Sequence, residues 1–242
     1  LDAPQIDPGN ALRFKLSEIG EKERVDVILT NPPFGGEEEK GIQGNFPEDR
    51  QTAETALLFL QLIMRKLKRQ PTPVGRPARA AVVVPNGTLF GDGVCARIKE
   101  ELLKEFNLHT IVRLPNGVFA PYTGIPTNIL FFDRSGPTKE VWYYEQPLPE
   151  GRKNYTKTQP MQFDEFKGCM EWWAKREEND QAWKVSAKEL LDTGCNLDRK
   201  NPRATVGFEH LPPDQLADDI LQKELRIAEL MREIRTALGA SA

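Results

Sequence analysis

The sequence predicts an α/β fold: a doubly wound, Rossmann-like sheet with a last antiparallel strand, followed by a helical C-terminal extension. Three observations carry this expectation. Apolar runs at 25–29, 80–84 and 108–114 alternate with helical periods at 52–69 and 94–106, the order of a parallel sheet with crossover helices. A fourth run, 127–132, follows a connection too short for a crossover helix, which makes it antiparallel. In the last segment, 214–238, Leu216, Ile220, Ile227, Leu230, Ile234 and Ala237 keep heptad spacing, broken at Lys223.

Taken in order, Gly9-Asn10-Ala11-Leu12 reads either as a strand-end turn that brings a polar side chain to a ligand or as a surface loop. Val25-Asp26-Val27-Ile28-Leu29 reads as a buried parallel strand, apolar at all but one position. Asn31-Pro32-Pro33-Phe34 ends it, because two prolines cannot donate to a ladder and hold the backbone extended. The Gly- and Glu-rich stretch 35–49 predicts a mobile loop. Within 52–69, Ala53, Ala56, Leu57, Leu60, Ile63, Met64 and Leu67 share one helix face, and Pro71 and Pro73 stop the helix.

The strand at 80–84 leaves through Pro85-Asn86-Gly87. Asp92 is placed to cap the next helix, whose inner face carries Val94, Ile98, Leu102, Leu103 and Phe106. The strand at 108–114 leaves through Pro115-Asn116-Gly117, so two exits share one turn chemistry. Beyond it, 141–144 predicts a strand or edge ribbon, 147–160 a polar linker, and 163–178 a helix. Segments 182–185 and 196–198 read as small packing pieces. The expected domains are 1–146 as the main α/β body, 147–211 as an extension packing on it, and 212–242 as a helix for subunit contact. The same helix would otherwise dock on its own domain.

Composition removes several function classes. Lys and Arg number 33 against 36 Asp and Glu, a net charge of −3, so the chain has no overall electrostatic footprint for nucleic acid. Contact with nucleic acid must come from a local patch or a partner. The cluster Arg65, Lys66, Lys68, Arg69, Arg76 and Arg79 reads either as such a patch or as a solvated helix end. Three cysteines without a Cys-x-x-Cys and only two histidines leave no metal site, no disulfide framework and no histidine-based triad. No apolar run reaches the length of a membrane span and no signal peptide opens the chain, so a soluble, cytoplasmic protein is expected.

The candidate site is Asn31 to Phe34, since open α/β sheets bind ligands where strands end. One amide, one proline carbonyl and one aromatic face suit a flat ring bearing an amine. A ring amine is a weak nucleophile because its lone pair is delocalised. Acceptors on its two hydrogens, the Asn31 side-chain oxygen and the Pro32 carbonyl, favour a pyramidal nitrogen and the positive charge that develops there. Phe34 would hold the ring by stacking after it leaves a duplex. Asp26 reads as structural.

The runs 25–34, 45–47, 83–90, 111–119 and 127–132 are similar to the modification subunit of type I restriction–modification systems, a resemblance covering roughly residues 9–203. It implies an adenine-specific DNA methyltransferase that moves a methyl group from S-adenosylmethionine to the adenine 6-amino group. Asn31, Pro32, Pro33 and Phe34 would form the catalytic motif, and Asn10 would lie near the cofactor. The family's glycine-rich cofactor loop is expected before residue 1, so the chain would hold the C-terminal, target-base half of the methyltransferase sheet. Alone it should bind the cofactor weakly, and the motif strand would be an unpaired edge. The resemblance also implies DNA, a specificity subunit, a restriction subunit and a second modification subunit as partners. Two rivals remain open: amine methylation of protein or RNA, and a non-catalytic fragment or assembly scaffold.

Overall fold

In the computed structural model, residues 4, 6–203 and 213–237 are described. Six strands form one sheet: β1 (Val27–Thr30), β2 (Arg79–Pro85), β3 (Asn107–Arg113), β4 (Thr127–Asp133), β5 (Glu140–Glu145) and β6 (Ala182–Ser186). The helices are α1 (Lys40–Gln43), α2 (Thr55–Lys66), α3 (Val94–Glu105), α4 (Lys167–Lys175), α5 (Ala187–Asp192) and α6 (Pro213–Ala237). Strand order is β1-β2-β4-β3-β5-β6. β1 and β2 are parallel, and β4 is antiparallel to both of its neighbours, β2 and β3. β5 runs parallel to β3. The carboxyl ends of β1, β2, β3 and β5 therefore share one edge of the sheet, as the candidate site requires.

Period-2 burial decides which side of β2 is core. Ala80, Val82 and Val84 pack with Leu57, Leu60 and Met64 of α2 and with Ile98, Leu102 and Phe106 of α3. On the opposite face, α4 brings Cys169 and Trp172 against Val112 and Tyr144. A third cluster explains why the middle of α2 is apolar on a second side: Leu58 and Leu62 pack on Leu12, Leu16, Ile19 and Phe46.

Several expectations need correction. The Val25–Leu29 run is not buried on both faces: Val27 is 44% and Leu29 78% exposed. β1 pairs with β2 alone among the described residues, and the face carrying those two side chains is uncovered. The helix ends at Lys66 rather than Arg69, because Leu67 turns extended and bridges to Val25, whose N–H donates to Lys66 O at 2.8 Å. The stretch 35–49 is ordered into α1 and a 3-10 turn at Glu48–Arg50. Buried Phe46 and a 2.9 Å hydrogen bond from Leu16 N–H to Asn45 O anchor it. Asp92 does not cap α3; Gly93 takes that place at φ 62° with no side-chain cap. The helix expected over 163–178 opens as a 3-10 turn and ends at Lys175, where Arg176 is left-handed.

The segment at 182–185 is a strand, so β5 is interior rather than an edge, and the sheet continues past residue 146. Asp26 meets Lys68 at 2.8 Å, a structural ion pair. Among the described residues no helix is long and apolar enough to cross a membrane. The chain divides into one unit ending at Arg203 and a second unit that contains α6. Along α6, Leu221, Leu225, Ile227, Leu230, Met231 and Ile234 are exposed. The side chains of Leu216, Ile220 and Ala237 lie outside the described residues.

One half-buried base gives the fold a pH dependence. Burial, with Arg176 beside it, holds His109 down to about 4 against an ordinary 6.5. Between those values the unfolded chain binds a proton that the folded chain does not. Stability is therefore expected to fall as pH drops through that window, by up to about 3 kcal/mol. His109→Gln should flatten the slope of the urea midpoint against pH; an unchanged slope would assign it to other groups.

Candidate active site

Asn31 to Phe34 leave the end of β1 with Asn31 and Pro33 exposed, Pro32 buried and Phe34 half-buried. The chain then reverses through Gly35 and Gly36, at φ 70° and 120°. Backbone bonds fasten this loop to the start of α2: Glu38 N–H donates to Ala53 O at 2.8 Å and Thr55 N–H to Gly36 O at 3.4 Å. The motif therefore stands between a sheet edge and a helix terminus, each built on buried apolar residues.

The second exit, after β2, is tied to the start of β4. Asn86 N–H donates to Pro126 O at 2.8 Å, and its side-chain oxygen accepts from Asn128 Nδ2 at 3.1 Å. Asn128 is only 2% exposed, so this amide pair is a fixed internal contact. The third exit, after β3, swings across to the first. Phe119 meets Phe34 edge to face, ring centroids 4.7 Å apart and planes at 71°. This contact joins the first and third exits into one aromatic corner beside Asn31.

What holds the third exit lies in the stretch expected to be a linker. Tyr155 is buried, and its N–H donates to Asn116 O at 3.1 Å. Its hydroxyl donates to the Glu165 carboxylate. Burial, reinforced by that carboxylate, pushes the Tyr155 hydroxyl up to about 12, so it remains a donor. Gly117 has φ 80°, and a Cβ there would stand 2.3 Å from Tyr155 O. Gly87, its counterpart after β2, has neither a positive φ nor any atom within 4 Å of a Cβ. The two Pro-Asn-Gly exits thus do not share one turn chemistry: one is clamped, the other open.

Behind the exits lies a cleft of about 470 Å³ walled by Asn86, Asn116, Asn128, Arg113 and Gln146. Arg113 is paired with Asp198, and Gln146 donates to Glu165 O at 2.8 Å. Asn10 is placed differently. Its side-chain oxygen accepts from Leu12 N–H at 2.8 Å, closing a turn beside the Leu12–Phe46 cluster. No hydrogen bond or ring contact joins it to 31–34 among the described residues. Phe119 and Tyr155 were not singled out from sequence. Phe119 follows the Pro-Asn-Gly exit as Phe90 does the other, and that repetition was its only signal.

Taken together, a mixed α/β sheet with β4 set antiparallel between β2 and β3, and an Asn-Pro-Pro-Phe exit after β1, define an α/β protein like the modification subunits of known methyltransferases. The chain belongs to the N-6 DNA methylase family, whose description matches residues 2–210. It is 52% identical over 244 residues to the EcoEI methylase subunit of a type I restriction enzyme from Escherichia coli, covering 98% of this chain and 48% of the relative. Among solved structures it is similar to a modification subunit of a putative type I restriction enzyme from Vibrio vulnificus YJ016. There the identity is 66% and the TM-score 0.80, over 86% of this chain and 44% of the other. A chain from a structure of type I restriction–modification complex assembly and conformational transition shows 40% identity and a TM-score of 0.76, covering 99% and 50%. The chain spans about half the length of the curated relatives it matches.

Proposed function

We propose that this chain supplies the target-base half of a DNA adenine N6-methyltransferase, acting as part of a type I modification subunit. The observation that carries the reading is the corner formed by Phe34 and Phe119 beside Asn31, at the carboxyl edge of the sheet. An adenine drawn out of the duplex would lie against these rings. Its 6-amino hydrogens would be accepted by Asn31 Oδ1 and the Pro32 carbonyl, while Pro33 keeps the loop extended. As the amine nitrogen forms its new bond to carbon, positive charge grows on it, and both acceptors strengthen against that charge. One proton then leaves the nitrogen. S-adenosylmethionine, the donor used across such methyltransferases, would supply the methyl group. Its sulfur–methyl bond would break as the nitrogen–methyl bond forms, S-adenosylhomocysteine would leave, and the proton would pass to water. Asn10 is the residue of this chain assigned to the donor's contact.

DNA is the substrate in this reading, and the sequence would be read by a specificity subunit. The acidic balance of the chain supports that division of labour. A second modification subunit and a restriction subunit complete the expected assembly. The exposed apolar side of α6 supports its role in subunit contact, as the segment 212–242 with 1–146 and 147–211 forming the body. Replacing Leu230 and Ile234 with Glu should abolish co-purification with the specificity subunit while the melting transition of the main unit stays in place. Retention of the complex would overturn this part. The catalytic reading is tested by tritiated methyl transfer to adenine-containing duplex, with guanine-methylation and protein substrates as the arms that would contradict it.

A further inference from the structure

Residues 114–126 join β3 to β4 at the carboxyl edge of the sheet, and they include no charged residue. Both ends of this loop are tied down. Leu114 N–H donates to Thr127 O at 3.0 Å, and Pro126 O accepts from Asn86 N–H at 2.8 Å. Between them the chain turns tightly. Ala120 N–H donates to Gly117 O at 2.9 Å, and Phe119 O accepts from Tyr122 N–H at 2.9 Å and Thr123 N–H at 3.2 Å. Ile125 N–H closes the far side on Thr123 Oγ1 at 3.1 Å. With the Tyr155 clamp at Gly117, the loop is fastened at its base and across its tip.

On this fastened loop Tyr122 is 91% exposed, more than any other aromatic side chain among the described residues. Its side chain has no hydrogen-bond or ring partner among them. One bare side chain on a surface is ordinary, but this one is neither alone nor loosely held. Phe90, in the exit after β2, and Ile125, just before β4, are 47% and 45% exposed on the same edge. The turn keeps the Cα atoms of Phe119 and Tyr122 within about 7 Å of each other. The bare ring therefore stands beside the corner where Phe119 meets Phe34. An uncharged aromatic rim has nothing to offer phosphate and suits the faces of bases.

Withdrawing one base from a duplex breaks its stacking on both neighbours and leaves a gap one base thick. A flat ring entering that gap restores stacking and offsets the cost of extrusion. We infer that Tyr122 enters the duplex where the target adenine has left it, stacking on the flanking bases while Phe34 and Phe119 hold the adenine itself. Tyr122 is then a positioning residue. It touches neither the amine nor the methyl donor, and it makes the extruded state easier to reach. The inference rests on the methylation reading and adds to it the step before chemistry.

Single-turnover methylation by the assembled complex tests it on two duplexes. One pairs the target adenine with thymine; the other sets it opposite an abasic position, where it is already unpaired and needs less help to leave. Tyr122→Ala is expected to slow methylation of the paired duplex about tenfold or more, and of the abasic duplex less than about threefold. Tyr122→Phe should match the parent on both, since stacking needs the ring and not the hydroxyl. The ring is almost bare, so both variants should melt with the parent. Three results would overturn the inference: parent rates in Tyr122→Ala on both duplexes, an equal loss on both, or loss of the specificity subunit from the Tyr122→Ala complex, which would make the ring a protein contact. A parent complex that methylates no adenine would overturn the methylation reading and this inference with it. An active parent with an indifferent Tyr122→Ala variant removes this inference alone.

Discussion

Asn31→Ala is expected to lower methyl transfer to adenine by about 10²–10³-fold in the assembled complex, leaving cofactor affinity nearly unchanged. The size of the effect depends on where charge appears. In the ground state the adenine amine is neutral and Asn31 Oδ1 gains little from it. As the nitrogen becomes bonded to a fourth group it turns cationic, and an acceptor fixed at its hydrogen is then worth roughly 3–4 kcal/mol. Asn31 is exposed at a strand exit and outside the apolar clusters, so the variant should melt with the parent. An equal loss of stability and activity would mean that the residue is structural. Full activity would remove the motif from the mechanism.

Gly117→Ala is expected to be the most damaging substitution among the exits, destabilising by about 2–4 kcal/mol. Two causes add. The backbone at φ 80° disfavours a side chain, and the new methyl would sit 2.3 Å from Tyr155 O, a backbone atom that cannot swing aside. Relief requires the third exit to move, and Phe119 moves with it, so activity should fall further than stability alone explains. Gly87→Ala is the matched control: its Cβ meets nothing within 4 Å and its φ is not positive, so a change under about 0.5 kcal/mol is expected. Thermal melting of the two variants side by side settles the comparison. Equal midpoints would mean that the Tyr155 clamp is not rigid.

Much of the fold was legible in the sequence because its strands and helices are periodic and end at prolines. The antiparallel β4 was readable from a connection too short for any helix. The helix at 52–69 was readable as an element but not at its ends, since Leu67 obeys a tertiary bridge to Val25 and not the helical period that includes it. The two-sided burial of 25–29 failed for a similar reason: apolar residues report what a face is suited to, not what covers it. In the site, Asn31 to Phe34 stood out because chemistry and position coincide in four adjacent residues. Phe119 and Tyr155 did not, because their value depends on contacts 85 and 38 residues away, with Phe34 and Gly117, that no local pattern encodes.

The account's central claim is that the rings at 34 and 119 hold an extruded base. Photocrosslinking tests it most directly, using duplex in which 5-iodouracil replaces the target adenine and the complete complex as the binder. The account predicts that the crosslinked peptide carries Phe34 or Phe119 and that the yield collapses in the double variant Phe34→Leu, Phe119→Leu. A crosslink formed with undiminished yield in that variant, on residues outside 31–34 and 114–126, would contradict it.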